Sequence, residues 1–233
     1  MRRRRRAAAF AALLGALLAY YFVRTVLPGL RLWFDIVLLA VVLMPTVFLL
    51  VWLVLPLRRA AGLLPVGIAF GVLAVVCQIA GFGVVANFAK LFAATAVGFW
   101  FLGWFEAASW VVLIAFVVPW VDAYSVWRGP THRIVTRHQE VFGALSFAFP
   151  VPDGGSAHLG LPDLLFFALF LAAAARFRLR PWWTWVGLVT GLGLTIVLAT
   201  AFDVGGLPAL PLISAGFLVP NADLLWRRLR RSP

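Results

Sequence analysis

Two aspartates stand in apolar sequence, where an acidic side chain is expensive. Asp122 lies in the segment VPWVDAY and Asp163 lies in LGLPDLLFF. A charged group near hydrocarbon costs several kcal/mol, so an acid at such a position indicates a functional site. Two carboxyl groups that meet hold one proton between them: one takes a proton from water while the other donates to a carbonyl oxygen. This is the chemistry of aspartic peptidases, although the spacing alone also allows two separate helix-end aspartates or a proton relay.

The composition indicates that a membrane protein positions this pair. Of 233 residues, 64% are hydrophobic and only 12% are charged, whereas a soluble domain is roughly half apolar and a quarter charged. This excludes an ordinary soluble domain, a disordered tail and a disulfide scaffold, and the lone Cys77 has no second cysteine in the chain. The net charge of +12 is explained by arginines at the ends of membrane spans, so we expect no nucleic-acid partner.

Eight apolar stretches are long enough to be membrane-spanning helices. Each must be helical, because lipid offers backbone amides no other partner within a single segment. The runs are continuously apolar and do not alternate as the strands of a membrane barrel do. We therefore predict an all-α polytopic membrane protein with about eight transmembrane helices, within a range of seven to nine. The stretches cover 7–27, 32–56, 63–86, 88–104, 107–127, 159–176, 182–202 and 207–226.

The longest polar stretch, residues 128–158, connects the two aspartate-bearing stretches. It contains His132, His138 and His158, which we interpret as solvated loop residues, and an apolar piece over 141–151 that is too short to span. That piece is compatible with an interfacial helix, a re-entrant segment or an edge strand. Most of the 20 basic residues fall on the membrane side opposite this loop. The positive-inside rule then predicts both termini in the cytoplasm and the loop outside.

Chain connectivity predicts that both aspartates lie on one side of the membrane. The fifth stretch ends and the sixth begins beside the connecting loop, and the eighth enters from that same side with Pro208-Ala209-Leu210-Pro211. If these helices touch, two carboxyl groups and a proline-broken helix start line one wet cavity. Other hydrolytic sites lack their residues, since the chain has no His-Glu-x-x-His and no Gly-x-Ser-x-Gly. We expect no metal and no organic cofactor.

In this order, the three segments resemble the motifs of the presenilin and signal peptide peptidase family of intramembrane aspartyl proteases. That family carries an aspartate in a Tyr-Asp context, then a Gly-x-Gly-Asp, then a Pro-Ala-Leu motif near the last helix. The similarity covers about residues 107–220. The matching segments are Asp122-Ala123-Tyr124-Ser125-Val126, Gly160-Leu161-Pro162-Asp163 and Pro208-Ala209-Leu210-Pro211-Leu212-Ile213.

The resemblance implies a presenilin-like bundle with Asp122 and Asp163 as the catalytic, water-activating pair. It implies that transmembrane segments of other proteins, or signal-peptide remnants, are the substrates of a multi-pass protein in the cell membrane. It also implies that the apolar part of the loop, or residues 156–161, pairs with an unwound substrate strand. The residues expected to bind substrate are Gly160, Leu161, Pro162, Pro208, Ala209 and Leu210.

The predicted organisation follows the motifs and leaves no room for a soluble domain. The N-terminal helices occupy 1–106, the first catalytic helix 107–127 and the polar loop 128–158. The second catalytic helix, the seventh span and the Pro-Ala-Leu helix share 159–226, and a basic tail covers 227–233.

The chain departs from the family at two positions beside the aspartates. Val121 stands in place of the tyrosine, and Pro162 replaces the glycine, which removes an amide N–H and fixes φ near −65°. The family also has nine spans where this chain has eight stretches. Two other functions stay open: a proton-coupled transporter that uses the same aspartates as a relay, and a relative that binds transmembrane helices without cutting them.

Overall fold

The protein is a bundle of helices with one β-hairpin inserted before the second aspartate. The computed structural model describes residues 2–27, 31–128, 143–152, 156–202, 204 and 207–230. The strands β1 (Ser146–Pro150) and β2 (Ser156–Gly160) pair in antiparallel fashion between α5 and α6. The helices are α1 (Arg2–Val23), α2 (Leu32–Arg59, with a π-helical middle and a 3-10 end), α3 (Leu63–Ile79), α4 (Gly83–Trp104, with a 3-10 end), α5 (Ala108–Trp127), α6 (Leu161–Arg176), α7 (Pro181–Ala201), α8 (Leu210–Leu218) and α9 (Ala222–Leu229).

Each predicted apolar stretch coincides with a helical segment, but the boundary between the third and fourth is wrong. The third was expected to run to residue 86, whereas α3 ends at Ile79. Gly81 adopts φ +80°, a left-handed conformation that a side chain would disfavour, and this glycine lets the chain turn after the helix. Asn87 and Lys90, which separate apolar runs in the sequence, therefore lie inside α4.

Helix α6, at whose start the second aspartate stands, forms the centre of the bundle. All side chains over residues 167–174 are fully buried. Phe167 stacks on Phe48 of α2 with ring centroids 4.0 Å apart, and Phe170 stacks on Phe217 of α8 at 5.0 Å. Because α6 is packed on several sides, its first turn has a fixed position relative to α2 and α8.

Glycines allow the helices around the site to approach at backbone distance. A Cβ added at Gly216 of α8 would lie 2.4 Å from the Gly187 carbonyl oxygen of α7, and one added at Gly98 of α4 would lie 2.6 Å from the Leu165 carbonyl oxygen of α6. Small residues at such crossings are typical of membrane helix pairs, which associate by close van der Waals packing. The α7–α8 pair is therefore held at one spacing.

A polar cluster fixes α7 to α8 at the end of the bundle opposite the hairpin. The buried Asn221 donates from Nδ2 to Thr184 Oγ1 and to the Phe217 carbonyl oxygen, both at 2.7 Å. Its Oδ1 accepts the Arg180 N–H at 2.9 Å. The Arg180 guanidinium also pairs with both carboxylate oxygens of Asp223, at 2.8 and 2.9 Å. These bonds satisfy polar groups that would otherwise be costly to bury.

The predicted all-α class holds for the bundle, and the hairpin is the local exception among the described residues. The apolar piece over 141–151 was compatible with an interfacial helix, a re-entrant segment or an edge strand. In the structure it contains the strand β1. Phe147 and Phe149 point to the same face of β1 and are fully buried, as the period of two in a strand requires. The fold is a helical bundle in which the hairpin covers part of the core.

The prediction of a helical, membrane-embedded protein is confirmed. In the described part of the chain, five helices are long and apolar enough to cross a membrane, namely α1, α2, α4, α5 and α7. Large apolar side chains cover the outside of the bundle: Trp120 of α5 is 78% exposed and Ile79 of α3 is 83% exposed. Such a surface needs lipid around it.

The glycine crossing of α7 and α8 gives a first prediction. We expect Gly216→Ala to lower the stability of the protein by about 1–3 kcal/mol, since backbone atoms block the new methyl group. The measurement is thermal unfolding in detergent. Gly71→Ala in α3 is the matched control, because a Cβ there meets nothing within 4 Å. Equal melting temperatures for the Gly216→Ala variant and the unmodified protein would contradict the tight crossing.

Candidate active site

Asp163 is held at the first turn of α6 by the backbone that precedes it. Its Oδ2 accepts the N–H of Gly160, the last residue of β2, at 3.1 Å. An acidic side chain at the third helical position commonly bonds back to the residue before the helix, and the positive end of the helix dipole favours it there. Pro162 stands in the first turn, where no helical partner exists for an N–H, so its missing donor costs nothing.

Asp122 reaches the site from α5, on the periphery of the bundle. Its Oδ2 accepts the N–H of Leu210 at 3.0 Å. Helix α5 packs mainly on α8 and has little contact with α6. The carboxyl group of Asp122 is therefore positioned by the helix that carries the Pro-Ala-Leu segment.

The Pro-Ala-Leu segment forms the start of α8 beside the first aspartate. Ala209 and Leu210 are buried, and Leu210 is the first helical residue. The first amides of a helix have no partner within it, and together with the helix dipole they attract a carboxylate. Pro208, just before the helix, and Pro211, in its first turn, have no N–H to donate. Leu210 lies between them, and its N–H is the donor that bonds to Asp122.

The structure brings the two aspartates into one site. Asp122 and Asp163 interact electrostatically, and α8 packs against both of the helices that carry them. Both side chains are partly buried. Interacting carboxyl groups beside a helix start are the kind of groups that general acid and base catalysis by a carboxyl pair uses.

The outer edge of β1 is covered by side chains from α1 and α4. Asn87 donates to the Ala148 carbonyl oxygen at 2.8 Å and accepts the Ala148 N–H at 2.7 Å, and the Tyr21 hydroxyl donates to the same carbonyl at 2.8 Å. Two residues before and two residues after Ala148, β1 is bonded in the same way. Lys90 Nζ donates to the Ser146 carbonyl oxygen at 3.1 Å, and the Tyr20 hydroxyl donates to the Pro150 carbonyl oxygen at 3.1 Å. These bonds satisfy an edge that would otherwise accept another strand.

Strand β2 runs directly into the aspartate helix. In the observed register, Ala148 lies opposite His158, and both backbone groups of Ala148 are used by Asn87 on the far side of β1. Ala148 and His158 therefore form a pair without hydrogen bonds to each other, and the peptide groups of His158 point away from β1. The outward edge of β2 ends at Gly160, which is bonded to Asp163.

His158 has the exposed side chain that its sequence position indicates, but it belongs to a strand and not to a loop. It lies in β2, where its Nδ1 is 2.8 Å from Ser146 Oγ and its Nε2 is 2.9 Å from Ser156 Oγ. Partial desolvation and the nearby ammonium group of Lys90 lower the pKa of this imidazole below 6.5. His132 and His138, the other two histidines of the loop, lie outside the described residues.

The remaining predicted substrate-binding residues lie around the pair. Leu161 donates its N–H to the Leu145 carbonyl oxygen at 3.2 Å, which joins the start of α6 to the residue before β1. Pro162 is exposed. Val121 is 61% exposed and faces away from the protein core. The sequence does not predict the four residues that bond to the hairpin, which are Tyr20, Tyr21, Asn87 and Lys90. The signal that the sequence offers is the presence of the polar side chains of Asn87 and Lys90 inside an apolar run.

Comparison of the chain with protein-family models gave no match, and comparison with curated proteins gave none either. The likeness to the presenilin and signal peptide peptidase family rests on the three motifs alone. The structure adds two relations between these motifs. Leu210 of the third motif donates to Asp122 of the first, and Asp122 interacts electrostatically with Asp163 of the second.

The cover over β1 gives a second prediction. We expect Asn87→Leu to destabilise the hairpin by about 1–3 kcal/mol, because the Ala148 N–H loses its partner in a site with little water. Amide hydrogen exchange of the hairpin should become faster in this variant. Gln78→Leu is the control. Gln78 of α3 is exposed and, like Asn87, lines the cleft between α1, α4 and the hairpin. Unchanged exchange in Asn87→Leu would show that the amide does not hold β1.

The environment of His158 gives a third prediction, on pH. Because the pKa of His158 is lower in the folded protein than the ordinary value of 6.5, the unfolded chain binds more protons as the pH falls below about 6.5. The stabilising contribution of neutral His158 is complete above that pH and is lost as the pH falls further. Melting temperatures of the unmodified protein should therefore decline more steeply between pH 6.5 and 5 than those of His158→Gln. Parallel curves would contradict this role.

Proposed function

We propose that the protein is an intramembrane aspartyl protease of the presenilin and signal peptide peptidase family. The observation that carries the proposal is the bond from the Leu210 N–H to Asp122, because it joins the first aspartate motif to the Pro-Ala-Leu motif while Asp163 stands in the same site. The bond and the electrostatic interaction support the proposal because they relate three segments that are separated by dozens of residues and that the resemblance also places together. A chance likeness of short motifs gives no reason for this.

The chemistry follows from two carboxyl groups that share one proton. The ionised carboxylate removes a proton from a water molecule, and the oxygen of that water attacks the carbonyl carbon of the scissile peptide bond. The protonated carboxyl group donates to the carbonyl oxygen as the tetrahedral intermediate forms. Proton transfer to the amide nitrogen then breaks the carbon–nitrogen bond and releases an amine and a carboxylic acid. No metal or organic cofactor takes part in this scheme.

The substrate we propose is a transmembrane segment that unwinds and adds to the outer edge of β2. A helical peptide bond is shielded by its own hydrogen bonds, whereas an extended strand exposes it to attack. The edge of β1 is already occupied by Asn87, Tyr20, Tyr21 and Lys90. A strand laid along β2 would pass Gly160 and so bring a peptide bond beside Asp163.

Neither departure from the family motifs conflicts with this proposal. Pro162 occupies a position in the first turn of α6 where a proline is favourable, and Asp163 takes its hydrogen bond from Gly160. The family tyrosine is replaced by Val121, whose side chain is largely exposed, so no buried polar group loses a partner.

The proposed topology is that of a multi-pass protein of the cell membrane with eight spans. Arg58, Arg59 and Arg176 lie at the ends of α2 and α6 that are opposite the hairpin. The positive-inside rule then assigns this end to the cytoplasm and the hairpin and aspartates to the outer half of the membrane.

The fourth prediction separates proteolysis from transport and from binding without cleavage. Purified protein in detergent is incubated with a labelled single-span peptide, and the products are resolved by mass spectrometry. We expect cleavage that falls at least about a hundredfold in Asp122→Ala and in Asp163→Ala. Glu106→Gln is the control, since Glu106 is exposed between α4 and α5 at the opposite end of the bundle.

Three outcomes would contradict the protease. Peptide that is retained but left intact by the unmodified protein would indicate a transmembrane-helix binder. Proton-linked uptake into vesicles, lost in both aspartate variants, would indicate a transporter. Cleavage that persists in both aspartate variants would assign the chemistry to other residues.

A further inference from the structure

An open cleft with three arginines lies at the end of the bundle opposite the aspartates. It has a volume of about 520 Å³ and is formed where α2 ends, α3 begins, and α4 and α6 end. We call it the arginine cleft. Its lining residues are Arg58, Arg59, Ala60, Gly62, Leu63, Phe99, Trp100, Leu102, Gly103 and Arg176.

No acidic side chain among the described residues that line the arginine cleft balances its charge. The three guanidinium groups are those of Arg58, Arg59 and Arg176, and no acidic residue in the described ranges lines the cleft. The ion pair found among those ranges, Arg180 with Asp223, involves other residues. Three like charges around one small space repel one another unless an anion enters it.

The hydrogen-bond donors of these arginines are only partly used. Arg58 donates from one terminal nitrogen to the Leu55 carbonyl oxygen at 3.2 Å, and its buried Nε has no hydrogen-bond partner within the described residues. Arg176 donates from one terminal nitrogen to the Leu102 carbonyl oxygen at 2.6 Å. Each guanidinium has five N–H donors in a planar fork that suits the oxygens of a phosphate.

The start of α3 adds donors of the same kind. Gly62 precedes the helix in a left-handed conformation, φ +79°, and no side chain caps the helix there. Gly62 and Leu63 both line the cleft. The start of this 17-residue helix thus lies beside the same space as three arginines, and the positive end of the helix dipole adds to their field.

We propose that the arginine cleft binds the phosphate group of an anionic membrane lipid. An uncapped helix start and three guanidinium groups around one cleft favour an anion with several acceptor oxygens. A lipid is the favoured source because the cleft lies at the arginine-rich end of the spans. Trp100 lines it, and Trp104, which packs edge-on against Trp100, is 70% exposed, as is typical of aromatic side chains at the headgroup level. Basic pockets between helices at that depth accept lipid headgroups.

The site is distinct from the aspartate pair and is connected to it through one helix. Asp163 and Arg176 belong to the first and last turns of α6, so about 20 Å of helix separates them at 1.5 Å per residue. The inference does not depend on the proposed protease activity, and its test uses binding alone.

The test measures binding of a short-chain phosphatidylglycerol to the purified full-length chain in a neutral detergent, by native mass spectrometry. Phosphatidylcholine and inorganic phosphate are tested in parallel. We expect phosphatidylglycerol to bind more tightly than either, and the variant Arg58→Gln/Arg176→Gln to bind it about 30-fold more weakly, since each interfacial arginine contributes about a fivefold change. Arg58→Lys/Arg176→Lys keeps the charge and should lose only part of the affinity.

The matched control is Arg178→Gln/Arg227→Gln, which removes two exposed arginines from the same end of the bundle and so leaves the same net charge. We expect it to bind phosphatidylglycerol within about twofold of the unmodified chain. Equal losses in the two glutamine variants would overturn the site and indicate attraction by overall charge. Inorganic phosphate that binds as tightly as phosphatidylglycerol would overturn the lipid as the ligand. If the Arg58→Gln/Arg176→Gln variant does not fold, the Arg58→Lys/Arg176→Lys variant is used in its place. Complete loss of phosphatidylglycerol binding in the lysine variant would contradict a site that depends on charge.

Discussion

The amide N–H of Leu210 must find an acceptor at the start of α8, and Asp122 supplies it at 3.0 Å. Water is scarce at this depth, so a helix start without a partner would cost several kcal/mol. The bond ties the peripheral α5 to α8. Since α8 is held against α7 at Gly216 and against α6 at Phe217, this bond and the packing of α5 on α8 together determine the position of Asp122 relative to α6.

The same constraint explains why the arrangement of the two aspartates and the Pro-Ala-Leu segment was largely predictable from the sequence. An acidic residue in an apolar run needs a polar partner, and a proline-broken helix start needs an acceptor. Connectivity alone requires Asp122, Asp163 and the Pro208 segment to share one side of the bundle. Burial costs and chain topology are therefore sufficient to predict which segments form the candidate site.

The hairpin could not be predicted in the same way. Its apolar piece is compatible with a short helix or a strand, and only the pairing of Ser146–Pro150 with Ser156–Gly160 decides between them. That pairing depends on Asn87 and Lys90, whose partners are backbone carbonyls on a distant segment. Every residue has a backbone carbonyl, so the sequence does not reveal which carbonyls Asn87 and Lys90 bond to. From the sequence alone, these two polar residues therefore look like interruptions between two spans. The turn at Gly81 was missed for a similar reason, because one glycine among many gives no sign of a positive φ.

The central claim is that Asp122 and Asp163 form one unit that holds a single proton. Infrared difference spectra of the purified protein against Asp122→Asn and against Asp163→Asn test it near neutral pH. One carbonyl stretch of a protonated carboxyl group is expected in the unmodified protein, and it should shift or disappear in both variants, because each substitution removes one of the two groups that share the proton. A band that keeps its frequency and intensity in either variant, or no band in the unmodified protein, would contradict a shared proton.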